Sequence, residues 1–153
     1  MQAILTCMQL TPEDIEKRAA KAAQLFAEGF NCSQAVAAAC ADLYGIDEPL
    51  ALRLAASFGG GIGRMRMTCG AACGMFVLAG LENGNTMPNQ PKAKLTNYQL
   101  VQRLAERFKE DNGDLVCANL LGLNGTPARQ KRPCAEMVAQ AVRIYLSTIN
   151  TQP

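Results

Sequence analysis

The sequence predicts an all-α protein, a single compact domain over residues 1–153 whose core runs from about residue 11 to 149. Three observations predict it. Apolar residues recur at three- and four-residue spacing along most of the chain. No stretch alternates apolar and polar residues as a half-buried strand does. Helix signals punctuate the chain, a capping residue or proline at one end and a glycine at the other, enough for about six or seven helices. A length of 153 residues suits one domain with its own core. With 49% apolar residues, 5% aromatic ones and no Trp, that core is built from Ala, Leu, Val and Met, and its helices can approach closely.

Thr11-Pro12-Glu13-Asp14 opens the first helix, which carries Ile15, Ala19, Ala22 and Phe26 on one face and stops at Gly29. Asn31 caps the second helix, with Cys32 at its first position, and the run through Val36 and Cys40 to Tyr44 closes at Gly45. Asp47-Glu48-Pro49 starts a short third helix bearing Leu50, Leu54 and Phe58. A glycine run, Gly59-Gly60-Gly61-Ile62-Gly63, ends it. Thr68 stands as the cap of a fourth helix, with Cys69 as its first residue and Asn83-Gly84 as its end. Leu95, Tyr98, Val101, Leu104, Ala105 and Phe108 mark a long amphipathic helix that Gly113 terminates. Asp114 caps a short helix containing Cys117 and reaching Gly122. Pro133 opens the last helix, with Cys134 beside it and Val138, Val142 and Leu146 beyond.

A net charge of +2 is too mild to predict nucleic-acid binding or a membrane surface. The longest apolar run, from Gly70 to Leu81, falls well short of the roughly 20 residues of a membrane span. The N-terminal segment has neither the basic start nor the apolar length of a secretory signal. With 7 cysteines, an odd number, the chain reads as a cytoplasmic protein of a reducing compartment rather than a disulfide-stapled exported one. The absence of histidine removes the usual general base and the mixed zinc site, so any metal must rest on thiolates, with or without carboxylates.

Cys32, Cys69, Cys117 and Cys134 each fall in the first turn of an expected helix. Free amides and the positive end of the helix dipole favour thiolate there. Were the four termini to converge, they would form a pocket suited to an iron–sulfur cluster or another thiophilic metal. Cys69 is expected to be the most acidic thiol, with the helix end outweighing burial. Cys7 and Cys40 read as small buried hydrophobes, and Cys73 equally as core filler or as a further ligand. Gly59, Gly60 and Gly61 read either as an amide nest binding an anion beside Arg64 or, preferentially, as a tight turn passing close to Cys69. Arg64 and Arg66 read as solvated or ion-paired, either of them able to offset a thiolate cluster. Met65, Met67 and Met75 are placed to shield the site from water.

Asn31-Cys32, Phe58-Gly59-Gly60-Gly61, Cys69-Gly70-Ala71-x-x-Gly74, Cys117 and Cys134 together resemble the redox-active C_GCAxxG_C_C family, over roughly Glu13 to Val142. The resemblance implies that Cys32, Cys69, Cys117 and Cys134 are the functional set. It implies a redox role as well, since a related domain occurs with an iron–sulfur cluster in split-Soret haem cytochromes. No Cys-x-x-Cys-His haem attachment site is present, so the haem does not carry over. Cys73 occupies a position that the family motif leaves open.

The leading expectation is electron transfer or redox sensing through an iron–sulfur cluster, of the [2Fe–2S] type or another, ligated by those four cysteines. The alternatives are a metal-free dithiol–disulfide protein in which Cys69 attacks, and a non-catalytic metal-binding or transport-associated module. The redox partner is not legible in the sequence, and a homodimer stays open.

Overall fold

The computed structural model describes residues 9–123, 125, 127–129 and 132–152. Among these the chain forms seven α-helices: α1 (Pro12–Ala27), α2 (Cys32–Cys40), α3 (Glu48–Ala55), α4 (Gly70–Asn83), α5 (Pro91–Asn112), α6 (Cys117–Leu120) and α7 (Cys134–Asn150). Short 3-10 turns follow α2 at Ala41–Tyr44 and α3 at Ala56–Phe58. The described residues hold no strand, only one isolated antiparallel bridge between Thr68 and Val116. The fold is all-α, as the sequence predicts.

Most helix starts follow from local chemistry. Thr11 and Asp14 form a reciprocal capping box on α1, with Pro12 at the first position. Asn31 and Gln34 do the same on α2. Asp47 accepts from the Leu50 amide at 2.8 Å and caps α3. Three starts differ from expectation by a residue or more. Cys69, not Thr68, is the cap of α4, because the Thr68 backbone pairs with Val116 instead. Val116, not Asp114, precedes α6; Asp114 turns its carboxylate on the amides of Leu115 and Val116 at 2.7 and 2.9 Å. Pro133 caps α7 from outside, leaving Cys134 as its first residue.

α2 runs through the middle of the bundle, with every residue from Ala35 to Cys40 buried, and packs on α1, α3, α4 and α7. It meets α4 nearly backbone to backbone. A Cβ on Gly74 would stand 2.7 Å from Val36 Cβ and 3.0 Å from the Ser33 carbonyl, so only glycine lets the two helices lie this close. α7 closes the other side against α1, α2, α4 and α5. In the core the Tyr145 hydroxyl lies between the Leu78 carbonyl, at 3.0 Å, and the Tyr44 hydroxyl, which donates to Glu82. Arg143 grips Glu16 with two nitrogens, and Asn150 holds both the amide and the carbonyl of Leu10.

One apolar face lies elsewhere than the spacing suggests, and a second departs from it only near its start. Leu50 and Leu54 are exposed, and α3 buries Ala51 and Ala55 instead. On α5, Leu95 and Tyr98 are exposed while Leu100, Leu104 and Phe108 are buried. Asn97 sets that rotation by donating to the Ala79 carbonyl and to Asn83 on α4, which turns Leu95 and Tyr98 outward. No helix among the described residues is long and apolar enough to cross a membrane.

Candidate functional site

Cys32, Cys69, Cys117 and Cys134 line one cavity of about 50 Å³. Four helix starts deliver them. The Asn31 amide group reaches the Ala56 carbonyl at 2.9 Å and Gln34 reaches the Leu52 carbonyl at 3.1 Å, so the start of α2 and its Cys32 are pinned to α3. The Cys69 amide donates to the Leu115 carbonyl at 2.8 Å, tying the start of α4 to the segment that leads into α6. The Cys117 amide donates to the Met67 carbonyl at 2.6 Å, and Ala118 to that of Arg66. Pro133 fixes φ just before Cys134 and commits the chain to α7.

The glycine run makes this convergence possible. Gly60, Gly61, Ile62, Gly63 and Arg64 have φ between 58° and 73°, a turn of the uncommon left-handed sense. At Gly61 a Cβ would lie 2.7 Å from Cys117 Cβ, and at Gly70 it would lie 3.1 Å from Cys32 Cβ. The amides of Ile62 through Met67 all donate to carbonyls of residues 57–62, which closes this segment into a tight turn. Gly60 and Gly61 line the cavity, whereas a Cβ on Gly59 would strike the Asn31 side chain. Arg64 is exposed. It is Arg66 whose guanidinium reaches the cavity, 3.7 Å from Cys117 Sγ.

Burial dominates the thiol electrostatics. Desolvation, followed by the neighbouring Cys69, Cys134 and Cys117, pushes the Cys32 thiol up to about 12. Cys69 is likewise pushed up to about 12 by burial, although the amides of Ala71 and Ala72 near its sulfur pull the other way without closing a capping bond. Cys134 is raised by burial and by Cys117, with Arg66 opposing. At Cys69 burial outweighs the helix end, the opposite of the balance expected from the sequence.

Cys73 does not line the cavity. It sits in α4 facing a separate apolar recess with Phe58, Ile62 and Phe76, its sulfur 3.7 Å from the Thr68 carbonyl. Cys40 is fully buried at the end of α2, and Cys7 lies outside the described residues. Met75 belongs to the core, while Met65 and Met67 are exposed and do not close the site. Leu120, Leu121 and Met137 line the cavity instead. Met137 stands one turn after Cys134, a helical spacing that could have marked it in the sequence.

The donor set is all sulfur, with a cation beside it, and suits a thiophilic centre in kind. Among the described residues no three Cys, Asp or Glu side chains are close enough together to hold a single metal ion.

Comparison with known proteins places the chain. No solved structure matches it. An uncharacterized protein of Archaeoglobus fulgidus is 30% identical over 148 residues, covering 92% of this chain and 98% of its own length. The family described as "Putative redox-active protein (C_GCAxxG_C_C)" matches residues 30–148, a span that begins just before Cys32 and contains all four cavity cysteines. The chain belongs to the C_GCAxxG_C_C family.

Proposed function

We propose that the chain is a cytoplasmic electron-transfer or redox-sensing protein whose Cys32, Cys69, Cys117 and Cys134 hold an iron–sulfur cluster, of the two-iron type or larger. The observation that carries this reading is the convergence of four thiols, from four helix starts, on one cavity. Without a cation, burial and repulsion from neighbouring cysteines keep the Cys32, Cys69 and Cys134 thiols protonated. That opposes a mechanism in which free Cys69 attacks a disulfide, because the thiolate is the nucleophile. A cationic centre removes the conflict by taking the place of the protons. Bound there, the cluster supplies reversible one-electron chemistry. The chain's own residues hold it, place Arg66 against the developing negative charge, and exclude water with Leu120, Leu121 and Met137.

Anaerobic reconstitution with ferrous iron and sulfide tests the reading. Iron and acid-labile sulfide should bind together, with visible absorbance and a paramagnetic signal on one-electron reduction. Serine at any one of the four positions should lower iron content severalfold, whereas Cys73→Ser and Cys40→Ser should retain it. A chain that takes up no iron under these conditions, or that keeps a full complement in Cys69→Ser/Cys117→Ser, refutes the proposal.

A further inference from the structure

The surface beside the cavity has a composition of its own. Nine large apolar side chains are exposed among the described residues, and four of them belong to the two segments that meet at the Thr68–Val116 bridge: Met65, Met67, Val116 and Leu123. Met65 is 62% exposed and Met67 53%. Backbone bonds bind these segments to the site, since Met67 accepts from Cys117 and Arg66 from Ala118, while Leu123 donates to Ala118. Exposed apolar side chains grouped on neighbouring segments mark an interaction site more often than isolated ones do.

Its charge has one sign. From Pro49 to Leu81 the only charged residues are Arg53, Arg64 and Arg66. Across the bridge, Asp114 is already occupied by Arg129 at 2.9 Å and by two backbone amides. An incoming molecule therefore meets methionine and valine side chains, with Arg64 beside them and no free carboxylate on these segments.

Resting on the redox reading above, we propose that this face docks a small acidic electron-carrying protein, which exchanges one electron with the four-cysteine centre. One electron leaves the reduced carrier and reduces the centre, or returns by the reverse step; no bond is made or broken. Charge complementarity selects the occupant. A second copy of this chain, meeting the same patch across a two-fold axis, would set Arg64 against Arg64. The two arginines of these segments, Arg64 and Arg66, are also fewer than the 4–8 basic residues that typically hold a protein to anionic lipid. A small apolar patch with a charged margin suits the brief, low-area encounters of electron carriers.

The test uses the full chain, anaerobically reconstituted, with a plant-type ferredoxin and a flavodoxin as acidic probes. Cytochrome c serves as the basic probe and phosphatidylglycerol vesicles as the lipid arm. The acidic carriers should bind and cytochrome c should not. Affinity should fall about tenfold or more between about 20 and 300 mM salt. Arg64→Glu should weaken binding about five- to tenfold, and Met65→Gln/Met67→Gln by a similar factor. Arg103→Glu on α5, with the same change in net charge, should shift it by less than about twofold. Failure of both acidic carriers to bind, equal binding of cytochrome c, preference for the vesicles, or equal effects of Arg64→Glu and Arg103→Glu overturns the inference. Iron and sulfide content is read separately on every sample. A loaded chain that ignores the carriers refutes the docking face alone, and a chain that binds them without taking up iron refutes the redox reading alone.

Discussion

Alanine introduced at two glycines of α4 should act in opposite directions. Gly74 and Gly80 lie six positions apart in the same helix. Alanine is the better helix former by about 1 kcal/mol in a helix interior. At Gly80 a Cβ meets nothing within 4 Å, so Gly80→Ala should keep that gain and raise Tm by about 2–4 °C. At Gly74 the added carbon would stand 2.7 Å from Val36 Cβ and 3.0 Å from the Ser33 carbonyl. Neither neighbour is the far end of a flexible side chain, so α2 itself must shift. Overpacking of this kind costs about 1–3 kcal/mol, which cancels or exceeds the propensity gain. The two variants should therefore differ by about 2 kcal/mol, or about 4–8 °C in Tm. Thermal melts followed by circular dichroism at one pH measure the difference. Since α2 and α4 carry Cys32 and Cys69 at their starts, Gly74→Ala should also take up less iron on reconstitution than Gly80→Ala. A Gly74→Ala protein as stable as Gly80→Ala would show that the helices are not in backbone contact there, and the account of how these two thiols meet would fail.

Three further outcomes follow from the same structure. Burial holds the Cys40 thiol up to about 12 against an ordinary value of 9.0, so across that window the folded chain keeps a proton that the unfolded chain has lost. Stability of the metal-free protein should then fall as pH rises above 9, with a shallower slope in Cys40→Ala; parallel slopes in the two melting series would contradict it. Tyr145→Phe removes a buried hydroxyl placed between the Leu78 carbonyl and Tyr44, and chemical denaturation should show a loss of about 1–3 kcal/mol, whereas an unchanged midpoint would mean that these contacts add nothing. Arg66→Gln withdraws the cation beside Cys117 and should move the reduction potential of the reconstituted centre to more negative values, read by spectroelectrochemical titration; a shift in the opposite sense would refute the charge argument.

The legibility of the chain divides by range. Thr11, Asn31 and Asp47 declare their helices because a cap acts on amides two or three residues away, and the sequence carries all of that chemistry. Thr68 has the same local character, yet its backbone pairs with Val116, 48 positions along the chain, and the cap passes to Cys69. Nothing near Thr68 announces that partner. The face of α3 and the start of the α5 face, at Leu95 and Tyr98, are misplaced for a related reason. Spacing identifies an apolar stripe, but Asn97 and the small residues Ala51 and Ala55 decide which stripe turns inward. At the site, the shared helix-start position of Cys32, Cys69, Cys117 and Cys134 is legible and their common cavity is not, because it depends on how four separate elements pack. Arg66 rather than Arg64 reaches that cavity because backbone angles in the preceding turn, invisible in composition, set the direction of each side chain.

The run from Gly60 to Arg64 also bears on chirality. Its φ angles are those that mirror-image amino acids adopt at rest, yet two of its five members, Ile62 and Arg64, are not glycine. The left-handed conformation costs an L residue about 1–2 kcal/mol, more keenly where the side chain branches at Cβ, as in isoleucine. In a chain assembled by chemical ligation, D-isoleucine at 62 and D-arginine at 64 would suit the backbone better than the natural enantiomers. The wall of the sulfur cavity that Gly60 and Gly61 supply thus belongs to a segment where the handedness of ribosomal building blocks works against the fold.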